Sequence, residues 1–131
     1  MPDLIAFPPV TLPSQPLFIL RNANMQSVAD QQMVKQGTFT NWAPAFVFGI
    51  WVSGGATIAC AGGLYTAASK AGTAFVLATQ SWITLTGSLL LVPAPIIALT
   101  SAFNTTPFLS LTTGSTAAVT ANLFIYGYIL D

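Results

Sequence analysis

Residues 116–130, TAAVTANLFIYGYIL, divide into two distinct sets when successive side chains are assigned to opposite faces. One set is small and aliphatic: Ala117, Val119, Ala121, Leu123, Ile125, Gly127 and Ile129. The other begins polar and becomes aromatic: Ala118, Thr120, Asn122, Phe124, Tyr126, Tyr128 and Leu130. A period of two is typical of a strand that rests one face on a core, and helical spacing gives no comparable separation. The stretch therefore predicts a β-strand with an aliphatic inner face.

The aromatic end of the other face is a candidate subunit interface. Tyrosine combines a large apolar surface with a hydroxyl group and is enriched at protein interfaces. We assign Phe124, Tyr126, Tyr128 and Trp42 to this interface. The alternative is that another strand or loop of the same chain covers the aromatic side chains.

The preceding part of the chain consists of short apolar runs that end in turn-forming residues. Residues 45–52 are followed by Ser53-Gly54-Gly55, and residues 108–111 by Thr112-Thr113-Gly114-Ser115. We interpret Gly62-Gly63 as another turn, because neither glycine pair is followed by the Lys-Ser/Thr of a phosphate-binding loop. Short strands with turns at this spacing predict an all-β protein, a β-sandwich or a barrel.

The first 35 residues differ in character from the rest. Prolines interrupt residues 1–20, which predicts an extended N-terminal arm, with a plain first strand as the alternative. Residues 22–36 are polar, and a short surface helix or a loop fits them equally well. We therefore divide the chain into an arm with a polar segment, 1–35, and a β-sandwich domain, 36–131.

Composition excludes several functions. Charged residues make up 5% of the 131 residues and the net charge is zero, so the chain lacks the basic footprint of a nucleic-acid-binding protein. With no histidine and one cysteine, it has no zinc cluster and no Ser-His-Asp triad. The three acidic residues are far apart in sequence. We expect no enzyme, no cofactor and no metal site, and we interpret Cys60 as a small buried apolar residue.

So few charges leave a surface that is poorly protected against association, and either lipid or other subunits must cover it. Residues 43–69 and 81–103 are long enough to form two helical membrane spans. Glycines in the first stretch, and Pro93 and Pro95 in the second, argue against that alternative. A third hypothesis is a sugar-binding module with Trp42, Trp51 and Trp82 as its platform, although core or interface positions suit these residues better.

Three segments carry a resemblance to a known class of protein: Gly37-Thr38-Phe39-Thr40, GGLYTAASK from Gly62 to Lys70, and FIYGY from Phe124 to Tyr128. Over residues 25–131 the chain resembles small structural proteins of tailed bacteriophages that coat or cement an icosahedral head. The resemblance implies a jelly-roll-like sandwich, often trimeric. It also implies binding to the outer capsid surface, where major capsid subunits meet. The near absence of charge departs from this pattern and leaves a neck, tail or host-binding role open.

Our leading hypothesis is accordingly a non-enzymatic virion structural protein that decorates and stabilises a phage head. Its expected partners are identical subunits, with a trimer favoured, and the major capsid protein. A membrane partner enters only under the alternative with two helical spans.

Overall fold

The computed structural model describes residues 15–55, 59–83, 91–97 and 102–131. Within these ranges the chain forms nine strands and no helix, which confirms the all-β prediction. The strands are β1 (Pro16–Asn24), β2 (Gln31–Gln32), β3 (Val34–Lys35), β4 (Trp42–Gly54), β5 (Ala61–Tyr65), β6 (Ala74–Val76), β7 (Leu91–Ala94), β8 (Phe108–Thr113) and β9 (Val119–Ile129).

The strands form two antiparallel sheets with a jelly-roll connectivity. One sheet has five strands in the order β3-β1-β9-β4-β7, and the other has four in the order β2-β8-β5-β6. Apart from β3, the pairs are nested: β1 with β9, β2 with β8, β4 with β7 and β5 with β6. This nesting is that of a long hairpin rolled into two sheets, which is the jelly roll. The prediction of a jelly-roll-like β-sandwich is therefore confirmed.

Strand β9 has the two-faced character that its sequence predicts. Its residues alternate between buried and partly exposed from Val119 to Gly127, and the aliphatic side chains point inward. Leu123 and Ile125 are completely buried between the sheets. Because β9 lies between β1 and β4, it has a hydrogen-bonded partner on both sides.

Aromatic side chains fill one end of the core. Trp42 is completely buried, and its ring makes edge contacts with Phe18, Phe75 and Phe103 at centroid separations of 4.8, 5.7 and 5.3 Å. Its indole N–H donates a hydrogen bond of 3.0 Å to the carbonyl oxygen of Thr105. Edge-to-face packing of this kind adds about 0.5–1.5 kcal/mol per pair beyond simple burial.

The two glycine pairs have different roles. Gly54 is the last residue of β4 and lies in the left-handed region, at φ 101°, so the strand ends within the predicted Ser53-Gly54-Gly55. Gly62 and Gly63 are not in a turn, because both lie within strand β5 and are buried. A Cβ at Gly63 would lie 2.2 Å from the carbonyl oxygen of Val76. The pair therefore permits a close approach between strands, where the sequence suggested a break.

Residues 16–35 belong to the sandwich. β1 pairs with β9 in the middle of the five-stranded sheet, and Phe18 is completely buried. The boundary at residue 35 thus does not coincide with a boundary of the fold, and the first-strand alternative describes β1. Residues 22–36 contain β2 and β3 in place of a helix. The proline-rich arm of residues 1–14 lies outside the described residues.

Cys60 is buried, as its sequence context predicts. Its side chain is 1% exposed, and its thiol donates a hydrogen bond to the carbonyl oxygen of Met25. Burial raises the pKa of the thiol to about 11, because the thiolate would lose its hydration. The thiol therefore stays protonated at neutral pH.

Candidate functional site

The outer side of the five-stranded sheet carries a cluster of five aromatic side chains, which we name the aromatic face. Its members project from β4 and β9, away from the core: Phe46, Phe48, Phe124, Tyr126 and Tyr128. Phe46 and Tyr128 are 43% and 42% exposed, and the other three are half-buried. The structure therefore brings together Phe124, Tyr126 and Tyr128 as the sequence predicts, and it adds two phenylalanines from β4.

Strand register aligns these rings. Phe46 lies opposite Tyr126, and Phe48 lies opposite Phe124. A register shift between Pro44 and Phe46 places Phe46 and Phe48 on the outer side, while Val47 between them is buried. This shift is a β-bulge, which commonly redirects the side chains that follow it.

The rings are nearly parallel. Phe46 and Tyr126 stack at a centroid separation of 4.7 Å and an interplanar angle of 10°. Phe48 stacks on Phe124 at 5.3 Å and on Tyr126 at 5.5 Å. These separations are close to the spacing of about 4.8 Å between neighbouring strands, so each ring covers the face of its cross-strand neighbour. Phe46, Phe48, Phe124 and Tyr126 therefore form one stacked array.

The same side of the sheet becomes polar toward the other end of β9. The hydroxyl groups of Ser53 and Thr120 lie 2.6 Å apart in a hydrogen bond. The side-chain carbonyl of Asn122 accepts a hydrogen bond of 2.8 Å from the backbone N–H of Asn22. The hydroxyl groups of Tyr126 and Tyr128 make no hydrogen bond to the part of the chain that the structure describes. The surface therefore has an apolar part with adjoining polar groups, as protein interfaces commonly do.

No charged side chain occurs on β4, β7 or β9. Among the described residues, no three His, Cys, Asp or Glu side chains come together as a possible metal site. The chemistry available on the aromatic face is therefore apolar contact, with hydrogen bonding at its margin.

The tryptophans do not belong to this surface. Trp42, which the sequence analysis assigned to the interface, is completely buried, because it precedes the bulge and points into the core. Trp82 is also completely buried and donates its indole N–H to the carbonyl oxygen of Gly62. Trp51 is half-buried against the core. The three tryptophans therefore do not form an exposed platform for a sugar.

An exposed carboxylate anchors the chain next to the aromatic face. The side chain of Asp131 accepts hydrogen bonds from the backbone N–H groups of Thr40 and Asn41 at 2.7 and 2.8 Å, and from the Asn41 amide at 3.1 Å. These hydrogen bonds hold the pKa of Asp131 below its ordinary value, and nearby Lys35 acts in the same direction. Asp131 thus joins the end of β9 to the loop that precedes β4.

This anchor predicts a sensitivity to acid. Because the pKa of Asp131 is lower in the folded chain than in the unfolded chain, its contribution to stability is present above the unfolded pKa and is lost as pH falls through the folded pKa. We expect the melting temperature to decrease as the pH is lowered below about 4. At pH 6 the Asp131→Asn variant should have a lower melting temperature than the parent protein. The difference between the two melting temperatures should shrink toward pH 2. Calorimetry across this range tests the prediction, and a difference that is constant with pH would contradict it.

The chain matches no family model, and it has no significant similarity to a curated protein or a solved structure. The fold assignment therefore rests on the strand pairing itself. Within the described part of the chain, no helix is long and apolar enough to cross a bilayer. The stretches 43–69 and 81–103, considered above as helical spans, contain β5, β7 and nearly all of β4.

Proposed function

We propose that this chain is a non-enzymatic structural protein of a bacteriophage virion. In this role it decorates the outer surface of the head and stabilises the shell. Its partners are identical subunits, for which the phage resemblance implies a trimer, and the major capsid protein. The work of such a protein is done by surfaces, without a reactive group.

The observation that carries the proposal is an uncharged aromatic face on a jelly-roll sandwich. Double-sheet jelly rolls recur in viral capsid and lectin domains and in cupins, so the fold is compatible with the role without requiring it. Exposed apolar surface of this kind marks contact sites on proteins. A subunit that is permanently assembled can keep such a surface, because a neighbour covers it.

Repetition over a shell supports the same role. Burial of apolar surface contributes roughly 25 cal/mol per Å², before the costs of ordering the partners. When many copies bind the same particle, modest individual contacts add up to a strong attachment. A chain with few charges is suited to this arrangement, because close packing of its copies brings few like charges together.

The test compares virions that carry the chain with virions that lack it. Particles without the chain are expected to release their DNA at lower temperature and under milder osmotic shock, and added purified chain should restore resistance. Antibody labelling in electron micrographs should mark the head surface. Deletion particles of normal resistance would contradict a stabilising role on the head, and labelling confined to the neck or tail would place the chain there.

A further inference from the structure

On the aromatic face, Phe46 and Tyr128 stay 43% and 42% exposed, and the composition of the face indicates what covers it. We infer that it binds the same face of a second copy of this chain, in a two-fold symmetric pair. The inference rests on the proposed function only in treating the chain as a self-assembling subunit. The inference specifies which surface joins identical subunits, namely the aromatic face. In this contact Phe46 and Phe48 are as important as Tyr126 and Tyr128.

Charge favours a second copy as the partner. The net charge of the chain is zero, and a protein with no net charge has little long-range repulsion to keep its copies apart. The strands that carry the aromatic face contain no charged residue. Arg21, the charged residue of β1, lies beside Asn22 at the polar end of the sheet. Asp131, next to the aromatic face, is held by its hydrogen bonds to Thr40 and Asn41, and Lys35 lies near it. Two copies can therefore bring the five aromatic side chains together while these charged groups stay at the margin of the contact.

The arrangement of the rings favours a protein surface over a sugar. A sugar stacks on the open face of an aromatic ring, but in four of the five rings a neighbour across the strands already covers a face, at 4.7–5.5 Å. The five aromatic side chains lie on the neighbouring strands β4 and β9. The same face of a second copy offers an apolar surface of equal extent, and edge-to-face contact between rings is favourable.

The available area is sufficient for a specific contact. Strand β9 has 11 residues, and β1 and β4 flank it. Three strands about 4.8 Å apart, with a rise of about 3.3 Å per residue, give an outer sheet surface of roughly 500 Å², which contains the aromatic face and the polar groups that adjoin it. A specific interface needs about 1,000 Å² in total, or about 500 Å² from each partner.

Symmetry determines the number of chains in the assembly. When a face binds itself, the contact is isologous and closes as a dimer. A two-fold axis in the plane of the interface, passing through the rings and running across the strands, leaves the polar groups of Asn122 and Thr120 at opposite margins of the contact. If another surface forms the trimer that the resemblance implies, and its three-fold axis crosses the two-fold axis at a right angle, the two contacts together give a closed hexamer. The expected mass is therefore two or six times that of one chain.

The experiment measures the native mass of the purified chain and of two variants by analytical ultracentrifugation over a range of concentrations. Phe46→Asp places a carboxylate in the centre of the proposed contact, where each copy would bury an unpaired charge. Leu77→Asp is the matched control, because Leu77 is 51% exposed and follows β6 of the other sheet. The parent chain and the control should sediment as two or six chains of 13.7 kDa.

Phe46→Asp should halve the mass and raise the dissociation constant by about 100-fold or more. Tyr128→Ser should weaken the pair in the same direction, and a circular dichroism spectrum like that of the parent shows that each variant is folded. A parent chain that sediments as one or three chains would overturn the two-fold pair, and so would a folded Phe46→Asp variant of unchanged mass.

The two proposals fail separately. A monomer that still binds and stabilises phage heads would overturn the pair and leave the proposed function in place. A dimer that depends on Phe46 but occurs in no virion would leave the pair in place and overturn the proposed function.

Discussion

Replacing Trp42 by alanine is expected to lower the free energy of unfolding by about 3–5 kcal/mol, the usual cost of removing a large buried aromatic side chain. The indole is completely buried and contacts Phe18, Phe75 and Phe103. Its loss also leaves the carbonyl oxygen of Thr105 without its 3.0 Å hydrogen bond. A domain of this size has a total stability of about 5–15 kcal/mol, so the variant should be close to unfolding at 37 °C.

Thermal denaturation followed by circular dichroism measures this effect. For 131 residues, the loss corresponds to a melting temperature lower by about 10–18 °C. Trp51→Ala is the matched control, because it removes a tryptophan that is only half-buried. The Trp51 indole donates a weaker hydrogen bond, of 3.3 Å, to the carbonyl oxygen of Gly55. Equal shifts for the two variants would show that Trp42 has no special place in the core.

Replacing Gly127 by alanine is expected to lower the free energy of unfolding by about 3 kcal/mol, the upper end of the usual cost of overpacking, because the added methyl group has no space. A Cβ at this position would lie 2.1 Å from the carbonyl oxygen of Ala43 and 3.1 Å from the Leu17 side chain. The carbonyl oxygen of Ala43 is a backbone atom and cannot move aside as the end of a flexible side chain can. The strand pairing between Gly127 and Pro44 must therefore open. That pairing lies between Tyr126 and Tyr128, and the variant should therefore disturb the aromatic face as well.

Urea denaturation compares this variant with Gly55→Ala. At Gly55 the nearest atom to an added Cβ is the Ala117 methyl carbon, at an ordinary contact distance of 3.6 Å. The control should unfold within about 0.5 kcal/mol of the parent, as surface substitutions usually do. Equal urea concentrations at the midpoint of unfolding for the two variants would contradict the close approach of the strands at Gly127.

The sequence predicted β9 well because one physical pattern decided it. Its inward positions are aliphatic and its outward positions polar or aromatic, so a period of two is visible without knowledge of any neighbour. The same pattern placed Phe124, Tyr126 and Tyr128 on the outer side, where the structure has them.

β4 could not be interpreted in this way. Residues 45–52 are apolar at both inward and outward positions, so their alternation carries no signal. The bulge after Pro44 also shifts the phase of the strand. As a result Phe46 and Phe48 were missed and Trp42 was assigned to the wrong side. The cross-strand register that joins β4 to β9 is a long-range property, which local sequence does not contain.

Residues 22–36 left a helix and a loop equally open for a different reason. Met25 and Met33 are buried, but Val28 between them is 56% exposed, so the burial follows no helical pattern. Short strands such as β2 and β3 have too few residues for a period to appear. Gly62 and Gly63 likewise suggested a turn, because only the neighbouring strands reveal why a side chain is excluded there.

The position of β9 has a consequence for how the chain acquires its structure. β9 fills the gap between β1 and β4, although it follows β1 by about a hundred residues, as the contact of Asn22 with Asn122 shows. The five-stranded sheet can therefore close only after β9 has left the ribosome, about a hundred residues after β1. Such non-local topologies fold in milliseconds to seconds, far more slowly than helical bundles. During that interval β1 and β4 have unpaired edges, and the chain is then most exposed to aggregation.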